Sequence, residues 1–207
     1  EGTEVVRIAD TLRAGDVRGA VILGTELTKE EVQVLARVPL PMVFIDTYHP
    51  QLDVSFVDMD NDQAVFAVLR HLAGQGFRRI GMVASHTEVT NFALRRSAFL
   101  RGMAALGLAP DEALILSVDS TLEGAYQDGL RQLAESREVA EAYFCANDMI
   151  AFGFMKALRE RGLRIPEDVS IAGFDNLPMS AMSDPALSTV EVPKRRIGAM
   201  AIRLLDD

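Results

Sequence analysis

The chain has 207 residues, 49% hydrophobic and 25% charged, enough for one α/β domain or two lobes of about 100 residues each. Its 21 Lys and Arg stand against 30 Asp and Glu, a formal charge of −9, which argues against a nucleic-acid-binding face on this segment itself. One cysteine, Cys145, excludes a disulfide framework and any cysteine-based zinc or iron–sulfur site, and His49, His71 and His86 lack metal-ligand spacing, so neither metal nor cofactor is expected.

Short apolar runs recur along the chain at Gly19–Leu23, Met42–Ile45, Ser55–Val57, Ile80–Ala84, Leu114–Val118, Ala142–Ala146 and Val169–Phe174. They are apolar without alternation, which fits strands buried on both faces. Between them lie amphipathic, helix-like segments at Asp62–Ala73, Phe92–Leu106, Leu122–Glu135 and Met149–Arg161. Ile80, Leu114, Tyr143 and Ser170 follow one another at 34, 29 and 27 residues, the size of a βαβ crossover, so a doubly wound parallel sheet is expected. Gly74, Gly76, Gly107 and Gly162 follow helical segments as C-terminal signals, Asp60 with Gln63 offers an N-cap, and Pro193 suits the start of a final helix. No linker or low-complexity tract divides the chain. Any second lobe must therefore be joined by strands that cross over.

In an open parallel sheet, ligands bind beyond the carboxyl ends of the strands. Here those ends carry Asp46, Asp58 and Asp60, Ser85, Asp119-Ser120, Asn147-Asp148 and Asp175-Asn176. Helix capping explains such residues singly; it explains adjacent pairs less well. Arg95 sits near the start of a helix, against the macrodipole, and one turn before Phe99 on or beside the inner face. It either snorkels to solvent or meets acceptor oxygens.

Several stretches together resemble the effector-binding domain of the lactose-repressor (LacI/GalR) family of bacterial transcription regulators. They are Val57-Asp58-Met59-Asp60-Asn61, His71 through Gly81, Arg95-Arg96-Ser97-Ala98-Phe99, Ala146-Asn147-Asp148 through Gly153, Ile165-Pro166-Glu167-Asp168-Val169-Ser170 through Asn176, and Pro185-Ala186-Leu187-Ser188-Thr189-Val190. The resemblance implies two Rossmann-like lobes of the periplasmic binding protein type, truncated at both ends. An incomplete amino-terminal lobe takes residues 1–57 plus 190–207, and a carboxyl-terminal lobe takes residues 58–189. A small-molecule effector, a sugar or related polar molecule, is expected in the cleft. Ligand contacts carried over by position are Asp46, Arg95, Asn147 and Asp175, with Asn91 and Phe92 in the loop before the arginine and Ser120 as secondary positions. Ser120 stands where many relatives carry a bulky aromatic, which leaves Phe92 or Tyr48 as the stacking surface.

By the same resemblance the protein is cytoplasmic and forms a homodimer through the carboxyl-terminal lobe. It reaches operator DNA only through a helix-turn-helix domain absent from this sequence. Glu1-Gly2-Thr3-Glu4 has no signal-peptide pattern, and no apolar run approaches membrane-spanning length. Lys194-Arg195-Arg196 reads as solvated surface, or as a neighbour of an acidic effector. The alternative function is the periplasmic sugar-binding component of a transporter. A sugar-active enzyme is a distant third, since the Asp pairs come with no nucleophile elbow, Walker or metalloprotease motif.

Overall fold

The computed structural model describes residues 2–135 and 138–206; Glu1 and Asp207, the outer limits of the amino-lobe reading, lie outside them. The chain forms two compact units. Unit 1 contains the residues up to Met59, Val89–Asn91 and those from Pro193 on, and unit 2 contains Asp60–Glu88 and Phe92–Val192.

Unit 1 is built from α1 (Gly2–Ala14), β1 (Ala20–Leu23), α2 (Lys29–Ala36), β2 (Met42–Ile45), β3 (Ser55–Val57) and a last helix, Lys194–Asp206. Its three strands are parallel in the order β1-β2-β3, with Val21 opposite Val43 and Val43 opposite Ser55. The period-2 pleat divides the core between two faces. Phe44 packs with Val5, Ala9, Val32 and Leu35 of α1 and α2, while Val43 and Val57 pack with Ala201 of the last helix. Neither α1 nor α2 stands among the sequence-expected helices. The start of α2 nevertheless carries a capping box, in which the Thr28 hydroxyl accepts from Glu31 N–H and the Glu31 carboxylate accepts from Thr28 N–H.

Unit 2 runs α3 (Asn61–Gly74), β4 (Ile80–Ser85), α4 (Thr90–Ala105), β5 (Ile115–Val118), α5 (Leu122–Glu135), β6 (Ala142–Cys145), α6 (Asp148–Glu160), β7 (Ser170–Asp175) and β8 (Ser188–Glu191); the Lys194–Asp206 helix is α7. The five strands are all parallel in the order β5-β4-β6-β7-β8. That order places β4, β6 and β7 inside the sheet, where their runs are buried along almost their whole length. Phe99, Tyr143, Phe144, Phe154 and Phe174 are fully buried there. The tightest helix contact is between α5 and α6: a Cβ on Gly153 would lie 2.4 Å from the Leu122 carbonyl oxygen, so only glycine allows that approach. Gly107 and Gly162 end α4 and α6 in the left-handed region, at φ of 67° and 77°.

Two readings need correction. Ser188–Glu191, taken from sequence as a bare crossover, is a strand paired to β7; its Ser-Thr-Val-Glu is too short and too polar to show a buried-strand pattern. Met179 and Met182, read as packing, are 42% and 82% exposed on a short 3-10 turn, Pro178–Ala181, and beside it.

Candidate functional site

In unit 1 the polar group gathers at the end of β2. Asp46 takes φ 61°, a left-handed conformation that Asp tolerates better than most residues. Its two carboxylate oxygens are held by separate donors. The Thr25 hydroxyl donates to Oδ2, and Asn91 Nδ2 donates to Oδ1 at 2.8 Å and to the Asp46 carbonyl at 3.3 Å. The same amide lies 3.5 Å from Asp58 Oδ1. Asn91 is buried, so its donors are committed to these oxygens in a setting where leaving them unpaired would be costly. Asn91 and Phe92 belong to the first turn of α4 and not to a preceding loop as the sequence suggests. Tyr48, half-exposed in the loop after β2, meets Phe56 edge-on with ring centroids 5.8 Å apart.

In unit 2 the group centres on Arg95, which is only 5% exposed and therefore does not snorkel. Its Nε donates to Asn61 Oδ1 at 3.1 Å and its Nη1 to the Ala146 carbonyl at 2.7 Å. Nη2 lies 4.0 Å from Asp175 Oδ1. The guanidinium carbon stands 3.7 Å from the Phe174 ring centroid and 5.9 Å from that of Phe92. Stacked on one aromatic and tied at two corners, the fork is fixed in place with one edge turned toward Asp175. Asp175 is the last residue of β7, at φ 114°, and Asn176 follows at φ 46°. Two consecutive non-glycine residues with positive φ store backbone strain, and such strain concentrates at ligand sites.

The other strand ends divide between capping and pairing. Asn147 caps α6, its Oδ1 accepting from Ile150 N–H at 2.7 Å, and Asp60 caps α3 through Gln63 N–H. Ser120 accepts a hydrogen bond from the Thr87 hydroxyl at 3.2 Å, so the ends of β4 and β5 meet as a pair of small hydroxyls. His86 pairs with Asp128 at 3.1 Å. Burial pushes the Asp128 carboxyl up, but the Asp119 N–H, His86 and Arg131 together hold it below its ordinary value. The Thr121 hydroxyl and amide do the same for Asp119.

The adjacent acid–amide pairs have a structural explanation at Asn147-Asp148. The first residue caps the helix; the second, fully buried, accepts three hydrogen bonds from the β7–β8 region. Sequence reasoning missed Asp148 in this role, as well as Asn61 and Thr25. Thr25 was within reach, because it lies two residues beyond β1 and obeys the same strand-end rule as the others. Asn61 had no signal, since its partner is 34 residues away.

A doubly wound fold whose strand ends present carboxylates, amides and a clamped arginine defines a domain built to bind a small polar molecule. Residues 69–207 match the family described as the periplasmic binding protein-like domain. A regulatory protein of the LacI family from Chloroflexus aggregans shares this fold with a TM-score of 0.87 and 31% identity, over 98% of this chain and 72% of that one. The transcriptional regulator CelR in complex with cellobiose gives a TM-score of 0.89 at 27% identity, over 100% of this chain and 64% of that one. The HTH-type transcriptional repressor CytR of Escherichia coli (strain K12) is 31% identical over 199 residues, which are 96% of this chain and 58% of that protein. The chain belongs to the LacI family of transcriptional regulators and carries its periplasmic binding protein-like domain. It spans 58% of the length of the curated relative it matches. Its relatives are repressors and not enzymes.

Proposed function

We propose that this domain binds a small polyhydroxylated effector, a sugar or a close relative, and that binding controls DNA recognition by a helix-turn-helix domain of the same protein. The observation that carries the reading is the clamped Arg95 beside Asp175, with Asp46 held in the same manner in unit 1. Carboxylates with fixed oxygens accept from vicinal hydroxyls, and an oriented guanidinium donates to ring or hydroxyl oxygens. Asp46, Arg95, Asn147 and Asp175 make the principal contacts. Asn91, Phe92, Ser120 and Tyr48 shape the surroundings. A site that commits polar groups in this way rejects ligands without matching hydroxyls, because its own groups would be left unpaired.

The amino lobe is residues 1–57 with 190–207, and the carboxyl lobe is residues 58–189. We assign dimerisation to the carboxyl lobe, a reading supported by the exposed Met179 and Met182, and place the protein in the cytoplasm with operator DNA as its second partner. Linkage makes effector and operator affinities reciprocal. The reading is tested by thermal unfolding with D-ribose, D-glucose, cellobiose and their phosphorylated forms. An effector at 100 times its Kd adds about 2.7 kcal/mol, which raises Tm by roughly 5–11 °C for a chain of this size. Asp46→Asn and Asp175→Asn are expected to abolish that shift while retaining the native circular dichroism spectrum. A full shift in both variants would place the site elsewhere.

A further inference from the structure

Behind Asp175, unit 2 contains a polar network that touches none of the proposed contact residues with its own carboxylate. Asp148, the first residue of α6, is fully buried. Its Oδ2 accepts from Leu177 N–H at 2.9 Å and from the Ser180 hydroxyl at 2.6 Å, and its Oδ1 accepts from the Thr189 hydroxyl at 2.6 Å. Thr189 in turn accepts from Asn176 N–H at 3.2 Å, and the Asn176 side-chain amide donates to the Glu191 carboxylate. The chain therefore leaves β7 through a turn whose amides at 176 and 177 both end, directly or through one hydroxyl, on a single carboxylate. The approach is tight: a Cβ on Gly173 would lie 2.2 Å from Asp148 Oδ1.

The turn so anchored is the one with unfavourable backbone geometry, at φ 114° for Asp175 and 46° for Asn176. A strained turn relaxes unless its surroundings over-determine it. Here the over-determination comes from three hydrogen bonds to a buried charged acceptor, the strong class of hydrogen bond. Ordinary helix capping does not require Asp148, because Asn147 already caps α6. We propose that Asp148 is a positioning residue for the effector site: acting through Thr189 and Leu177, it holds Asp175 in the conformation that faces Arg95. The proposal rests on the assignment of Asp175 as an effector contact.

The test uses hydrogen exchange together with the sugar panel. Thr189→Val keeps the shape of the side chain and removes only the hydroxyl. Exchange at Asn176 and Leu177 is expected to rise by about tenfold, while β6 amides stay at wild-type rates. Asp148→Ala should extend the loss to Ser180. Asp148→Asn should restore most of the protection, since a carboxamide oxygen still accepts from Leu177 and Ser180. Where a panel sugar shifts the wild-type Tm, Thr189→Val should weaken its binding by about tenfold at an unchanged melting temperature of the free protein. Wild-type exchange at Asn176 in Thr189→Val overturns the proposal. So does a rise spread evenly through β6, which marks a general structural tie, and so does unaltered sugar affinity. If no sugar shifts the wild-type protein, the effector reading fails, and the exchange data alone still decide whether Asp148 holds the turn.

Discussion

The two strand-end carboxylates, Asp46 and Asp175, both sit at positive φ, yet the two units hold them by different means. In unit 1 neutral donors from Thr25 and Asn91 fix Asp46 directly, at the end of a three-stranded sheet whose β1 leaves Val21 and Leu23 37% and 67% exposed. In unit 2 nothing neutral grips Asp175 in that way. It faces a buried guanidinium that is itself stacked on Phe174, and its turn is anchored from behind by Asp148. A carboxylate held by amides and hydroxyls survives the loss of its charge. One opposed to a buried cation does not, because the cation cannot be left without acceptors at low cost.

That contrast can be broken most directly at Arg95. Arg95→Ala removes the donors to Asn61 and Ala146 and the partner of Asp175, and should destabilise unit 2 by about 3–5 kcal/mol, read from urea unfolding. Cys145 offers a local reporter: it is fully buried in β6 and burial raises its thiol pKa, so alkylation in native buffer waits on opening of unit 2. Faster alkylation of Arg95→Ala at unchanged protection of β2 amides would locate the damage. Gly173→Ala comes next, at about 1–3 kcal/mol, since the new methyl meets Asp148 Oδ1 and Leu187 Cδ2 with little room to retreat. Asp46→Asn should cost about 1 kcal/mol or less, because an Asn tolerates the left-handed backbone and still accepts one of the two hydrogen bonds. A loss as large as that of Arg95→Ala would abolish the contrast.

Most of unit 2 was legible because a central parallel strand must be continuously apolar, and Ile80, Ala142 and Ile171 announce that pattern. The candidate site was legible for a related reason: strand ends are few, and each needs a polar residue. What stayed hidden was the partner of each residue. Arg95 could be placed near an inner face from its spacing to Phe99, but nothing local shows that it meets Asn61 and Ala146, which lie 34 and 51 residues away. The doubled residues at 147 and 148 were visible as a pair, whereas the division of labour between them depends on Thr189 and Ser180, brought near only by the crossover. Ser188–Glu191 failed for another reason. An edge strand has one neighbour and one open side, so its sequence need not be apolar.

The smallest effect concerns the turn into β7. Arg164 places Nε and Nη2 2.9 and 2.7 Å from the two Asp168 oxygens, and its own N–H donates to the same carboxylate. The guanidinium and amide hold the Asp168 pKa at about 2, below its ordinary 3.8. A carboxyl with a lowered folded-state pKa binds its proton more readily when unfolded, so its contribution to stability is complete above about pH 4 and disappears as the pH falls toward 2. The pair is largely solvent-exposed, with the arginine side chain 70% accessible, so screening keeps the effect small. Arg164→Ala should therefore lower the urea midpoint slightly at pH 7, with the gap closing between pH 4 and 2 and shrinking in high salt. A gap that persists below pH 2 would mean that Arg164 acts through its aliphatic stem or its capping geometry and not through charge. In that case the anchoring of β7 would fall to the buried hydrogen bonds of Asp148 alone.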